Sequence, residues 1–143
     1  RLAAAVGEPE ARLGEMPVAF VQLRDGAEAT EMELKDWARE RITERAANPA
    51  RIVIMEKMPL TDIGKPNKVV LRHEAARRVF AELLGSLAGE GLELEVEVGL
   101  HASAGSMAGV SVKSDGGQGR TEIEAKVHDL LSKFSMAHQM VWD

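Results

Sequence analysis

The stretch RIVIMEKMPLTDIGKPNKVVLR, residues 51–72, carries most of the information about this fold. It begins with RIVIMEKM, an apolar run typical of a buried strand, and ends with VVLR, which opens a run of helical periodicity. Between them lies a polar loop that contains Gly64 and Lys65. A lysine after a glycine at the exit of a strand is compatible with a phosphate-binding loop, and equally with a solvated turn.

The loop does not fit the phosphate-binding loop of nucleotide hydrolases, G-x-x-x-x-G-K-[ST]. Pro59 occupies the position of the first glycine, and Pro66 replaces the hydroxyl residue that would bind the metal ion. Taken alone, the Gly64-Lys65 pair is therefore best interpreted as a solvated turn.

Length and composition limit the class of protein. The chain has 143 residues, which suits one domain or one domain with a small appendage. Its apolar runs are much shorter than the roughly 20 residues needed to cross a bilayer, so we expect no transmembrane segment. The absence of cysteine excludes disulfides and thiolate chemistry, and fits a cytoplasmic protein. Because the chain starts at Arg1 without a methionine, we interpret it as part of a longer protein.

The distribution of charge disfavours nucleic acid as a partner. The net charge is -5 and only 3% of the residues are aromatic, so there are few platforms on which bases could stack. Between Arg45 and Arg78, however, eight Lys or Arg residues accompany three Asp or Glu. This concentration of positive charge around the loop favours an anionic ligand, although ordinary solvated faces would give the same pattern.

The first part of the chain predicts an α+β fold of the order β-β-α-β-α. Two strands, LAAAVG and PVAFVQLR, are separated by the Pro/Gly-rich loop EPEARLGE. Thr30 and Glu33 have the spacing of a capping box at the start of a helix. The predicted core-facing stripe of that helix comprises Leu34, Trp37, Ala38 and Ile42. The predicted apolar face of the helix after the loop comprises Val69, Ala76, Val79, Phe80 and Leu83.

Residues 86–143 predict a second arrangement, β-β-α-β. The run LELEVEVGL alternates apolar and acidic residues, as expected of a half-buried strand. MAGVSVKS and MAHQMVW predict two more strands, and Thr121 with Glu124 predicts a second capping box between them. We therefore predict a small mixed sheet with helices packed on it in residues 1–85. A β-β-α-β extension in residues 86–143 would pack on that domain or continue it.

As a whole, RIVIMEKMPLTDIGKPNKVVLR resembles the C-terminal signature of the adenylate-forming enzymes, which include acyl-CoA synthetases, luciferases and peptide-synthetase adenylation domains. In that signature a strand leads into a Pro-x-Thr-x-x-Gly-Lys loop, followed by a basic residue and a Leu-Arg or similar pair. The matching residues are Pro59, Thr61, Gly64, Lys65, Lys68, Leu71 and Arg72. Pro66 departs from the pattern, because an aliphatic residue is common at that position.

The upstream stretch AAAVGEPEARLGEMPVAFVQLRDG resembles the strand-loop-strand that precedes this signature. The matching residues are Gly7, Pro9, Gly14, Glu15, Ala19, Phe20 and Val21. Glu10 stands where Asp is usual. The resemblance covers residues 2–85 and is greatest to the acyl-CoA synthetases. The region from Gly91 onward lies outside the usual domain, which suggests a subgroup with a C-terminal extension.

The resemblance implies a C-terminal lid domain of an acyl-CoA synthetase that lacks its large N-terminal domain and is inactive alone. ATP and CoA would be substrates together with a carboxylic acid, in particular a fatty acid. Mg²⁺ would be held mainly by the N-terminal domain, and the fragment would bind none of these stably. Lys65 would be the catalytic residue of adenylation, positioned by Thr61 and Gly64, while Arg12 and Arg51 would contact the phosphates of CoA. This lysine is an acetylation target in related synthetases, and acetylation would remove its charge.

Two further expectations concern metals and partners. The four histidines do not have the sequence spacing of a metal site, so we predict none. The alternative to an enzyme is a non-catalytic α+β binding or interaction module that kept only the fold. Pro66 and the acidic extension favour this alternative, because the extension offers a surface for a partner or for a second subunit of a homo-oligomer.

Overall fold

The computed structural model describes residues 1–89 and 91–143. Two three-stranded sheets and three α-helices in these residues confirm the predicted α+β class. The strands are β1 (Leu2–Glu10), β2 (Gly14–Gln22), β3 (Arg51–Ile54), β4 (Leu92–His101), β5 (Gly105–Ser114) and β6 (Ala137–Trp142). The α-helices are α1 (Glu31–Arg41), α2 (Lys68–Gly85) and α3 (Arg120–Leu131). No helix of the described ranges is long and apolar enough to cross a membrane.

The chain divides into two compact units. The first comprises Arg1–Glu8 and Glu15–Ala75, and the second comprises Pro9–Gly14 and Ala76–Asp143. The division falls inside α2, between Ala75 and Ala76. The domain boundary expected after residue 85 stays a prediction.

The sheet of the first unit has the order β1-β2-β3. Strands β2 and β3 run parallel, with Val18 opposite Arg51 and Phe20 opposite Val53. Parallel neighbours need a crossover connection, and α1 lies in that connection. The buried core of this unit comprises Ala4, Val6, Val18, Phe20, Val53, Met58, Leu71 and Ala75.

The connection between β1 and β2 is shorter than the predicted loop EPEARLGE. Only residues 11–13 lie outside the two strands. The Glu10 carboxylate accepts hydrogen bonds from the backbone N–H groups of Arg12 and Leu13, which closes the turn. Gly14 then adopts a φ of 84°, as is common after a three-residue hairpin loop. Because the Glu10 carboxylate closes the turn, β1 and β2 both extend into the segment that was predicted to be a loop.

The capping box predicted at the start of α1 is confirmed. The Thr30 hydroxyl accepts a hydrogen bond from the Glu33 N–H at 3.1 Å, and the Glu33 carboxylate accepts one from the Thr30 N–H at 2.8 Å. The bonds from the Thr30 backbone and side chain to this carboxylate lower the pKa of Glu33. The prediction that Trp37 anchors the core is wrong, because the Arg41 guanidinium lies over its exposed ring, 4.4 Å from the centroid.

The predicted apolar face of α2 is partly wrong. Val69 is 51% exposed, whereas Leu71 and Ala75 are buried in the first unit. The helix starts at Lys68, so Val69 lies in a first turn whose inward position is taken by Leu71. Farther along α2, Ala76, Phe80 and Leu84 are buried in the core of the second unit. The inward stripe thus runs through Leu71 rather than Val69.

The second unit confirms the predicted β-β-α-β order, and its sheet has the order β4-β5-β6. Strands β4 and β5 are antiparallel, while β5 and β6 are parallel. Val96 pairs with Val110, which in turn pairs with Met140, so the three strands share one apolar row. The fully or almost fully buried residues of this core comprise Ala76, Phe80, Leu84, Leu92, Val96, Ala108, Val110, Val112, Ile123, Val127 and Leu131.

The second predicted capping box is wrong. Helix α3 begins at Arg120, and its N-cap is Gly119, which has no side chain to accept a hydrogen bond. Glu124 instead accepts hydrogen bonds from the indole N–H of Trp142 and from Nε of Arg120, each at 3.1 Å. The Glu124 carboxylate is therefore engaged by two side chains, and not by a backbone N–H at the start of the helix.

The two threonines provide a matched test of helix capping. We expect Thr30→Ala to lower the free energy of unfolding by about 1 kcal/mol, because one N–H of α1 loses its acceptor. Thr121→Ala should change it by less than about 0.5 kcal/mol, since Thr121 caps nothing. Urea denaturation of both variants measures the difference. An equal loss in the two variants would contradict this account of capping.

The contribution of the Glu33 carboxylate to the stability of α1 should depend on pH. The folded-state pKa of Glu33 is lowered, so its capping contribution is complete above the ordinary pKa of a glutamate. This contribution is lost as the pH falls through the lowered pKa of Glu33, because a protonated carboxyl group is a weaker hydrogen-bond acceptor than a carboxylate. The difference in free energy of unfolding between Glu33→Ala and the unchanged chain should therefore shrink at acid pH, and urea denaturation at several pH values measures it. A difference that does not change with pH would contradict this account.

Candidate functional site

Residues 59–67, here called the lysine loop, form a closed hairpin-like turn in the first unit. Leu60 and Pro66 form an isolated antiparallel bridge. The N–H of Asn67 donates to the carbonyl of Pro59 at 2.8 Å, and the N–H of Thr61 donates to the carbonyl of Lys65 at 2.7 Å. The base of the loop is therefore held by backbone hydrogen bonds, and Lys65 lies next to that base.

The tip of the lysine loop depends on Thr61 and Gly64. The N–H of Gly64 donates to the carbonyl of Thr61 at 2.9 Å, and the Thr61 hydroxyl accepts from the N–H of Lys65 at 3.3 Å. Gly64 has a φ of 78°, a conformation that costs other residues free energy. A Cβ built at Gly64 would meet nothing within 4 Å, so the backbone angle, and not crowding, favours glycine here.

Both ends of the lysine loop are anchored by residues that the sequence did not single out for this purpose. Met58 is 1% exposed, and its N–H donates to the side-chain carbonyl of Gln22 at 2.8 Å. At the other end, Leu71 is fully buried and donates its N–H to the carbonyl of Asn67. The Asn67 side chain accepts from the N–H of Val70 at 3.3 Å. An asparagine directly before a helical run is a recognisable cap, so Asn67 was detectable in the sequence.

Lys65 is exposed and lines a surface pocket of about 580 Å³ within the first unit. The residues around the pocket are Ala3, Ala4, Ala5, Thr61, Ile63, Lys65, Pro66 and Lys68. Three of these residues are alanines of β1, and two are lysines that supply positive charge. Among the residues that the structure describes, no carboxylate forms a salt bridge with Lys65. The pocket therefore has the charge and space to receive an anion.

The two arginines expected to contact CoA lie in different units. Arg51 is the first residue of β3, and its Nε lies 3.0 Å from a carboxylate oxygen of Glu8. Glu8 is 7% exposed, so the acidic partner of this ion pair is buried. Arg12 is exposed in the turn after β1 and belongs to the second unit. The function of either arginine stays a prediction.

Comparison with known proteins shows similarity to CoA ligases. The family model of the AMP-binding enzyme C-terminal domain matches residues 2–65. The chain is 34% identical over 137 residues to the marinolic acid–CoA ligase of a Pseudoalteromonas species, a match that covers 96% of the chain. It is 42% identical over 73 residues, or 49% of the chain, to the acetyl-coenzyme A synthetase of Pyrobaculum arsenaticum. An acyl-CoA synthetase of Brucella canis, known from its crystal structure, is 32% identical over 51% of the chain, with a TM-score of 0.45.

The chain corresponds to a small part of these proteins. It spans 20% of the marinolic acid–CoA ligase, 11% of the acetyl-coenzyme A synthetase and 14% of the Brucella enzyme. The match to the marinolic acid–CoA ligase takes in most of the residues of both units. The match to the acetyl-coenzyme A synthetase takes in only about half of the chain.

The backbone angle at Gly64 gives a test of the loop geometry. We expect Gly64→Ala to lower the free energy of unfolding by about 1–2 kcal/mol, because an L-residue is strained at this positive φ. Gly85→Ala is the matched control, since Gly85 ends α2 without a positive φ and a Cβ there meets nothing within 4 Å. Urea denaturation compares the two. Equal stability of both variants would contradict a left-handed Gly64.

Proposed function

Because residues 2–65 are a C-terminal domain of the AMP-binding, adenylate-forming enzymes, we propose that the intact protein is an AMP-forming CoA ligase. It would join a carboxylic acid to ATP, release pyrophosphate, and transfer the acyl group from the adenylate to the sulfur of CoA. Lys65 supplies the catalytic cation of the first step. The observation that carries this proposal is an exposed lysine on a loop whose backbone is fixed at both ends. No carboxylate of residues 1–89 and 91–143 forms a salt bridge with this lysine.

The chemistry of adenylation explains the need for such a lysine. The substrate carboxylate attacks the α-phosphate of ATP, so two anions approach each other while pyrophosphate leaves. A compact ammonium group between their oxygens offsets this repulsion and stabilises the charge that develops in the transition state. The four-carbon stem of Lys65 reaches outward, whereas Thr61 and Gly64 hold the backbone from which it projects.

The other parts of the reaction belong to a large N-terminal domain outside these residues. We propose that this domain holds ATP, the carboxylic acid and Mg²⁺, and that the C-terminal domain pivots between adenylation and thioester formation. Relatives named for marinolic acid, acetate and malonate use different acids, so the proposed substrate is the class of carboxylic acids. Arg12 and Arg51 are proposed to contact CoA phosphates, and the Glu8 carboxylate would then orient Arg51.

The role of Lys65 can be tested in the intact enzyme by measuring the two half-reactions separately. We expect Lys65→Ala to slow ATP–pyrophosphate exchange by roughly 10²- to 10³-fold, because a charge aimed at the transition state is lost. The rate of thioester formation from supplied acyl-adenylate should change much less. Lys65→Arg should recover only part of the exchange rate, since guanidinium has a different shape and charge distribution.

The control for this experiment is Lys57→Ala, which removes an exposed lysine outside the pocket that Lys65 lines. Its exchange rate should remain close to that of the unchanged enzyme. Normal exchange in Lys65→Ala would remove the lysine from catalysis, and equal loss of both half-reactions would indicate a structural role. An intact protein with no exchange at all would favour the non-catalytic binding module.

The 143-residue chain by itself should not form acyl-adenylate. It supplies one cationic loop, whereas adenylation also requires that ATP and the acid be held in line with each other. Incubation of the chain with radiolabelled ATP and a mixture of carboxylic acids, followed by chromatography, would measure this. Acyl-adenylate above the level of a Lys65→Ala control would show that these residues contain a complete active site.

A further inference from the structure

Two histidines of the second unit meet where α3 lies against β6. His128 is in the last turn of α3, and His138 is the second residue of β6. Nδ1 of His128 lies 3.3 Å from Nε2 of His138, and the ring centroids are 5.3 Å apart. The His128 side chain is exposed and that of His138 is half-buried. The two nitrogens therefore face each other at a place that solvent ions can reach.

We propose that His128 and His138 form a binding site for a divalent transition-metal ion, with Zn²⁺ as the reference ion. Imidazole nitrogens bind Zn²⁺ at about 2.0–2.1 Å, so two of them at a tetrahedral angle are about 3.3–3.4 Å apart. The observed separation of 3.3 Å fits this value. The ion takes the place of the hydrogen bond between the rings, and each ring keeps its proton on the outer nitrogen.

The surrounding structure fixes the backbone segments that carry both rings. His138 pairs with Ala108 of β5, so its backbone is fixed in the sheet. Helix α3 is held by the buried side chains of Ile123, Val127 and Leu131. One turn before His128, Glu124 accepts a hydrogen bond from Trp142, four residues after His138, which is a second link between the same two elements. Binding then requires little loss of backbone conformational entropy.

The protonation state and the remaining coordination positions are compatible with this proposal. Burial of His138, and then the charge of nearby His128, lower the pKa of His138. A metal ion binds the neutral form of imidazole, and the lowered pKa of His138 favours that form. The described residues contain no group of three or more His, Cys, Asp or Glu that could hold a metal ion. Water completes the coordination, so the site is an open one that leaves positions for an exogenous ligand.

Titration calorimetry of the 143-residue chain with ZnCl₂ near neutral pH tests the proposal. We expect one ion to bind per chain. His128→Ala and His138→Ala should each weaken the binding by at least about tenfold, the lower end of the effect of lost support around metal sites. His101→Ala is the matched control, because His101 is exposed and its ring bonds to the backbone N–H and the hydroxyl of nearby Ser103. It should leave the affinity unchanged.

Co²⁺ provides a second readout that depends on coordination and not on heat. Four-coordinate Co²⁺ with nitrogen ligands should give visible absorption bands in the unchanged chain, and His128→Asn should abolish them. Since His128 is exposed, this variant should keep the far-ultraviolet circular dichroism of the unchanged chain. The proposal is overturned if Zn²⁺ does not bind, or if the two histidine variants bind it as tightly as His101→Ala.

Discussion

The burial of Met58 and Leu71 is the constraint on which the candidate site depends. These two side chains belong to the core of the first unit, on either side of the lysine loop. Because both must be inside, the chain between them has to leave the core and return within a short distance. The Leu60–Pro66 bridge and the bond from Asn67 to Pro59 close that excursion at its base. The core thus fixes the loop without covering it.

The exposure of Lys65 follows from the same arrangement and suits the proposed chemistry. An ammonium group buried permanently in apolar surroundings would lose its hydration free energy. A lysine kept in water until its substrate arrives avoids this cost, and gains its full electrostatic effect only when water is displaced. The hydrogen bond from the Lys65 N–H to Thr61 and the left-handed turn at Gly64 fix the backbone, so only the Lys65 side chain has to be oriented toward the substrate. A fixed backbone that carries an exposed charge would suit the role proposed for Lys65, which is to act in one of two half-reactions.

The second unit shows how packing can create a site that spacing along the chain conceals. His128 and His138 are ten residues apart, on a helix and on the strand that follows it. Sequence spacing predicted no metal site, because no familiar ligand motif has this form. The parallel pairing of β5 and β6, together with the packing of α3, brings the two rings into contact. The proposed bis-imidazole site therefore depends on tertiary structure and lies outside the part of the chain matched by the family model.

Sequence alone determined the features that arise from interactions over a few residues. The capping box of Thr30 and Glu33, the alternation of β4 and the order of elements all have this origin, since hydrogen bonds and side-chain periodicity act locally. Tertiary structure decided which faces became buried. Trp37 and Val69 lie in correctly predicted helices but point to solvent, and Thr121 caps nothing. The physical reason is that burial depends on which elements meet, and apolar residues at the edge of a stripe are covered only where a partner reaches them.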